Sequence, residues 1–144
     1  MRILALSAQV PYPPHHGKAM RDYYLLSGLA RRHEVRLLCM ARSQEEVEAA
    51  APLRAVLPFD TVPLPAHTWP RRLGGLLAGR PDLAVRTATS SFYALLAGEF
   101  CTRPPDVLLV EGLEMAGYAL WLQKRGLSRN LPFVLDEHNA AYLL

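Results

Sequence analysis

The chain has 144 residues, 51% hydrophobic and 20% charged, which is the composition of one globular domain over 1–144 and not of a disordered segment. Sixteen basic against thirteen acidic residues leave a net charge of +3, too small an excess to argue for nucleic acid as a partner. No apolar run reaches the roughly eighteen residues of a spanning helix, and neither Cys39 nor Cys101 belongs to a Cys-x-x-Cys pair, so the ordinary expectation is two buried thiols in a reducing cytoplasm.

The apolar run that opens the chain carries one charge before it, Arg2, and is followed at once by Pro11, Pro13 and Pro14. It reads as a buried first strand over 3–8 and not as a signal peptide. A proline-containing loop leads to Gly17, and a helix is expected over 18–32, with Ala19, Tyr23, Leu26 and Ala30 on one face and Arg31, Arg32 and His33 at its end. A second strand follows over 35–40. Ser43 and Glu46 form a capping box for a short helix reaching about residue 51. A third strand over 59–64 carries Pro63, which marks it as an edge or marks its end.

Residues 69–79 suggest a helix carrying Leu73, Leu76 and Leu77. With Trp69, Arg71, Arg72 and Arg80 it has the pattern of a basic surface for anionic lipid, although a helix packed on the sheet with solvated arginines is the more ordinary reading. Ser90 or Ser91 caps a further helix through Phe92, Leu95, Leu96 and Phe100. A strand over 106–110, a helix over 115–125 closed by Gly126, and a last strand over 133–136 complete the pattern.

Strands and helices alternate throughout, so the expected fold class is α/β, a doubly wound and mainly parallel Rossmann-like sheet. The expected strand order is 3-2-1-4-5, where the winding reverses between strands 1 and 4. Ligands bind beyond the carboxyl ends of the strands at such a reversal. Three segments meet there: the loop to Gly17, the turn Glu111-Gly112, and residues 136–139.

In the first segment, Gly17 before a helix, with His16 and Lys18 beside it, either leaves backbone N–H groups open to an anion such as phosphate or is a helix-start glycine in a plain connecting loop. No Gly-x-Gly-x-x-Gly follows the first strand, and Lys18 is followed by Ala19, so neither a dinucleotide fingerprint nor a Walker motif is present. His15 and His16 read as a solvated pair. In the second segment, Glu111 and nearby Glu114 either accept hydrogen bonds from a hydroxylated ligand or pair locally. The third, Asp136-Glu137-His138-Asn139, can bind, orient or move a proton, with His138 as the candidate catalytic group and Asp136 and Asn139 as binding groups. No Asp-x-Asp pair occurs, and Asp136 and His138 lack a third ligand, so no metal is expected.

With these residues in view, the chain resembles the N-terminal half of GT-B glycosyltransferases of the family-4 type. The likeness rests on Met1-Arg2-Ile3-Leu4 through the Pro-Tyr-Pro-Pro loop to Gly17, on Pro105-Asp106-Val107-Leu108-Leu109-Val110-Glu111, and on Val134-Leu135-Asp136-Glu137-His138-Asn139. His16-Gly17 stands where relatives often carry two glycines, and Glu111 where many carry a histidine. The resemblance implies an acceptor-side domain whose His16-Gly17-Lys18 loop faces the donor diphosphate. It also implies that His138 lies near the transferred sugar, that Glu111, Asp136 and Asn139 line the acceptor or sugar, and that a C-terminal donor domain is missing from these residues.

The implied reaction moves a sugar from a nucleoside-diphosphate sugar, a co-substrate not held by this half alone, to a hydroxyl acceptor. That acceptor is a small molecule or a lipid-linked sugar in cell-envelope glycan or glycolipid synthesis. The enzyme is expected in the cytoplasm or peripherally at the inner face of the membrane, and the 144 residues alone are expected to be inactive. The competing expectation is a non-catalytic module that binds a sugar or phosphate in the same crevice.

Overall fold

A strand that is apolar on both faces has to lie between neighbours with layers above and below. That requirement puts Ile3 to Leu6 at the centre of the sheet. The computed structural model describes residues 1–66, 86–128 and 130–137. In chain order its elements are β1 (Arg2–Ser7), α1 (Gly17–Ala30), β2 (Glu34–Ala41), α2 (Gln44–Ala49), a 3-10 turn (Ala51–Ala55), β3 (Phe59–Pro63), α3 (Ser90–Thr102), β4 (Val107–Glu111), α4 (Leu113–Lys124) and β5 (Phe133–Asp136).

The five described strands form one parallel sheet in the order β3-β2-β1-β4-β5, as the alternation predicts. β1 has β2 on one side, with Arg2 opposite Glu34 and Ser7 opposite Cys39. On its other side Ile3 lies opposite Val107 and Ser7 opposite Glu111.

Two cores follow from the period-two alternation of the strands. On one face Ile3, Ala5, Leu37 and Leu109 pack with Leu26 of α1 and with Leu53 and Leu57 around the 3-10 turn. On the other, Leu4, Leu6, Leu38 and Val110 pack with Phe92 and Leu96 of α3 and with Met115, Tyr118 and Leu122 of α4. Right-handed crossovers put α1 and α2 on one face and α4 on the other, because the chain steps one way from β1 to β3 and the opposite way from β4 to β5.

Several boundaries differ from the sequence reading for identifiable reasons. Glu46 completes the capping box one residue early. Ser43 Oγ accepts from the Glu46 N–H at 3.3 Å, but Glu46 Oε2 accepts from the Arg42 N–H at 2.6 Å. The helix then ends at Ala49, and the 3-10 turn Ala51–Ala55, with Pro52 at its start, follows it. The N-cap of α3 is Thr89 and not Ser90 or Ser91, with its N–H donating to the Tyr118 hydroxyl at 3.0 Å. Asp106 lies before β4, where its Oδ2 accepts from the Arg2 N–H at 2.7 Å. Gly126 has φ +71° and ends α4, as expected.

The two cysteines differ. Cys39 is buried, and desolvation, with Glu46 and Asp60 nearby, pushes its thiol well above the usual range, so it stays protonated. Cys101 is exposed, which corrects the expectation of two buried thiols. It follows buried Phe100 by one position, and a single helical step turns the side chain from core to solvent. The basic segment 69–80 lies outside the described residues. Among the described residues, no helix is long and apolar enough to cross a membrane.

The amino end of the sheet, opposite the strand-end crevice, is held by charge pairs. Arg36 of β2 bonds Asp60 of β3, and its Nε lies 2.8 Å from Glu99 of α3, whose side chain is only 11% exposed. Removing the guanidinium strands a nearly buried carboxylate. Arg36→Met, which keeps the stem, is expected to cost about 1–3 kcal/mol. Urea unfolding at neutral pH checks it, and a loss under about 0.5 kcal/mol, the size of an ordinary surface change, would assign the pair no structural role.

Candidate functional site

Register brings three polar groups into one row at the carboxyl ends of the strands. Ser7 lies opposite Glu111, and Glu111 opposite Asp136. All three continue the face that α1 covers, since Ile3 and Ala5 precede Ser7 at period two and Leu109 precedes Glu111. α1 lays its own acid over this row. Asp22 falls three residues after Ala19 and four before Leu26, so it is on the inward stripe and fully buried, and its Oδ2 accepts from Ser7 Oγ at 3.3 Å.

Two cations from the first turns of α1 close the row from above. Arg21 pairs with Asp136. Lys18 Nζ reaches across to Glu114 Oε1 of α4 at 2.8 Å. The end of β5 is fastened to the start of α4 by one backbone and one side-chain hydrogen bond. The Gly112 N–H donates to the Asp136 carbonyl at 2.9 Å, and the Leu113 N–H donates to Glu137 Oε2 at 3.1 Å. Gly112 takes φ +91°, a conformation that favours glycine, and this turn lets α4 start at Leu113, two residues before the sequence pattern predicts.

Glu111 is 0% exposed. Burial raises its pKa most, the neighbouring Asp22 and Asp136 raise it further, and Lys18 and Arg21 pull it down, leaving it pushed up to about 8. At neutral pH the group is therefore mostly a neutral carboxyl, able to donate one hydrogen bond as well as accept. It lies beneath the surface, so it shapes the crevice floor and does not face solvent as an ionised acceptor.

α1 starts differently from α4. Its N-cap is His16, extended at φ −135° and ψ 160°, with no side-chain hydrogen bond to the helix end and no acidic residue in the first turn. A Cβ placed on Gly17 would meet nothing within 4 Å. Gly17 itself is exposed, so the start of α1, edged by Lys18 and Arg21, is open to solvent, and the partial positive charge of a helix N-terminus suits an anion. Among the described residues, no group of three or more His, Cys, Asp or Glu is placed to hold a metal ion.

Of the sequence candidates, Gly17 and Lys18 at the start of α1, Glu111 at the end of β4 and Asp136 at the end of β5 thus come together around the predicted reversal. His16 is exposed at the edge of this group, as is His15. His138 and Asn139 lie outside the described residues. Asp22 and Arg21 were not singled out by sequence. The available signal was an acid at helical spacing on an otherwise apolar stripe, Ala19, Asp22 and Leu26.

No family model matches the chain, and no curated protein does. Among solved structures it is similar to two crystal structures of the C-terminal domain of the PF1911 hydrogenase from Pyrococcus furiosus. One, of residues 78-226, has a TM-score of 0.54 at 12% identity; the other, of residues 83-215, has 0.55 at 13%. Each alignment covers 94% of this chain and 90% of the other. At that identity the likeness shows a shared fold.

Proposed function

We propose that this chain is the N-terminal, acceptor-side half of a GT-B-type glycosyltransferase that moves a sugar from a nucleoside-diphosphate sugar to a hydroxyl acceptor. The single observation that carries the reading is the open, uncapped start of α1 at Gly17, set with Lys18 and Arg21 over a row of strand-end carboxyls. The sequence resemblance, which extends beyond this loop to residues 105–111 and 134–139, also supports it.

In this reading the backbone N–H groups after Gly17 and the Lys18 ammonium face the diphosphate. Charge grows on that group as the sugar leaves, and preorganised donors stabilise it without having to reorient. Glu111, neutral at pH 7, contributes no third negative charge beside Asp22 and Asp136, which keeps the crevice hospitable to an anion. Asp136, held by Arg21, and Asn139 bind hydroxyls of the acceptor or sugar, and His138 lies at the transferred sugar.

The first test is a titration of the chain with inorganic pyrophosphate followed by amide NMR. The Gly17, Lys18 and Ala19 resonances are expected to move. Gly17→Val puts a side chain into that open space and should abolish the shifts while changing stability by less than about 0.5 kcal/mol. Unmoved amides, or equal shifts in the variant, would remove the phosphate-facing role. The transfer step is tested on the full-length gene product with a panel of nucleoside-diphosphate sugars, and a failure to release nucleoside diphosphate from any of them would reject the enzyme reading.

A further inference from the structure

The ion pair that crosses the crevice has an unusual seat. Glu114 is in the first turn of α4, and its side chain folds back over Gly112, where an added Cβ would collide with the carboxylate. Gly112 therefore supplies the room that lets the carboxylate turn toward α1, and there Glu114 Oε1 meets Lys18 Nζ at 2.8 Å. The backbone beneath it is fixed separately, since Thr87 Oγ1 donates to the Glu114 carbonyl at 2.7 Å. The side chain can thus leave Lys18 without unwinding the helix. Both ends of the pair are about a quarter exposed, so solvent and a diffusing anion can reach it.

Resting on the phosphate-facing reading of α1, we infer that Glu114 is an internal competitor for the anion: its carboxylate holds Lys18 in the empty crevice and has to be displaced before a phosphate oxygen can take the same ammonium. Carboxylate and phosphate oxygens offer Lys18 the same kind of charge-assisted bond. The carboxylate has the advantage of being tethered, at the favourable N-terminal end of α4. A dianionic phosphate brings more charge. Because every anion that uses Lys18 must displace the same carboxylate, the latch lowers all their affinities by one factor, and Glu114 sets the strength of the site.

The test is a double-mutant cycle read by inorganic pyrophosphate affinity at low ionic strength, using the chain, Glu114→Gln, Lys18→Ala and the double variant. Glu114→Gln should bind about fivefold tighter, which is about 1 kcal/mol, the upper end for a partly exposed pair. In the Lys18→Ala background the same change should give no gain. Glu114→Asp, with a shorter reach, should fall between the native chain and Glu114→Gln, and serves if the amide variant folds poorly.

If the native chain binds pyrophosphate and Glu114→Gln binds it no tighter, the competitor role is overturned while the phosphate-facing reading stands. A gain that persists without Lys18 also overturns it, because the carboxylate would then act through general repulsion. If neither the native chain nor Glu114→Gln binds pyrophosphate, the phosphate-facing reading and the competitor role fall together.

Discussion

Glu111→Gln is expected to abolish most of a fall in stability that the native chain undergoes as the pH rises from about 4.5 to about 8. The sign follows from where the proton sits. Below pH 4.5 the side chain is protonated in the folded and the unfolded chain alike, and it costs nothing. Above that value the unfolded chain ionises, while the folded chain, with Glu111 buried beside Asp22 and Asp136, keeps its proton up to about pH 8. The folded state binds more protons over this window, so stability falls with pH, by up to about 1.4 kcal/mol per pH unit for one group. Past pH 8 the loss is complete, on the order of 3–5 kcal/mol.

Glutamine has the same shape, carries no charge and still offers a donor. The difference in unfolding free energy between variant and native chain should therefore be near zero at pH 4.5 and should grow in favour of the variant up to pH 9. Groups not coupled to Glu111 titrate alike in both proteins and cancel in that difference. Parallel stability profiles from urea unfolding across this range would show that Glu111 is ionised in the folded chain at neutral pH. The crevice floor would then be more negative than its geometry implies.

How far the sequence foretold this arrangement depends on whether the deciding contact is local. The strand order was legible because strands and helices alternate and β1 is apolar on both faces, which only an interior strand tolerates, while Pro63 marked β3 as an edge or its end. Gly126 announced the end of α4 through its own backbone. Ser90 and Ser91 were the caps that the sequence reading offered for α3. The choice fell to Thr89, where a residue distant in sequence, Tyr118, accepts its N–H.

The inward face of α1 was read through Tyr23. The structure packs a half-buried Tyr23 against the core that α1 covers, beside the Tyr12 and Tyr24 rings, and buries Asp22 fully next to it. An acid is an improbable choice for a buried stripe until the strand-end Ser7 is placed beneath it. The same reasoning covers Glu111. Its position at a strand end was visible, but its proton depends on Asp22 from α1 and Asp136 from β5, which only the fold assembles. Lys18 and Glu114 were each noted separately, and nothing short of the turn at Gly112 shows that they meet.

Tyr118→Ala should be the most damaging single change in the described core, with an expected loss of about 3–5 kcal/mol. That is a large share of the total stability of a domain this size, about 5–15 kcal/mol. The ring is 1% exposed, with the Phe92 and Tyr93 rings at centroid distances of 4.4 and 4.5 Å. Its hydroxyl donates to the Thr87 carbonyl at 2.7 Å and accepts from the Thr89 N–H at 3.0 Å. One side chain thus fills the gap between α3 and α4 and satisfies the backbone where α3 begins.

Tyr118→Phe separates the two contributions. It keeps the ring but leaves a backbone donor and acceptor without that partner, for about 1–3 kcal/mol. In guanidinium unfolding the phenylalanine variant should fall between native and alanine, and its Thr89 amide should exchange faster with solvent. If the two variants lose the same stability, the hydroxyl and not the packed ring holds the helices together. Because Thr87 Oγ1 also holds the Glu114 carbonyl, a phenylalanine variant that frees this segment should loosen the Lys18–Glu114 pair as well, and so join core packing to the crevice through a chain of named bonds.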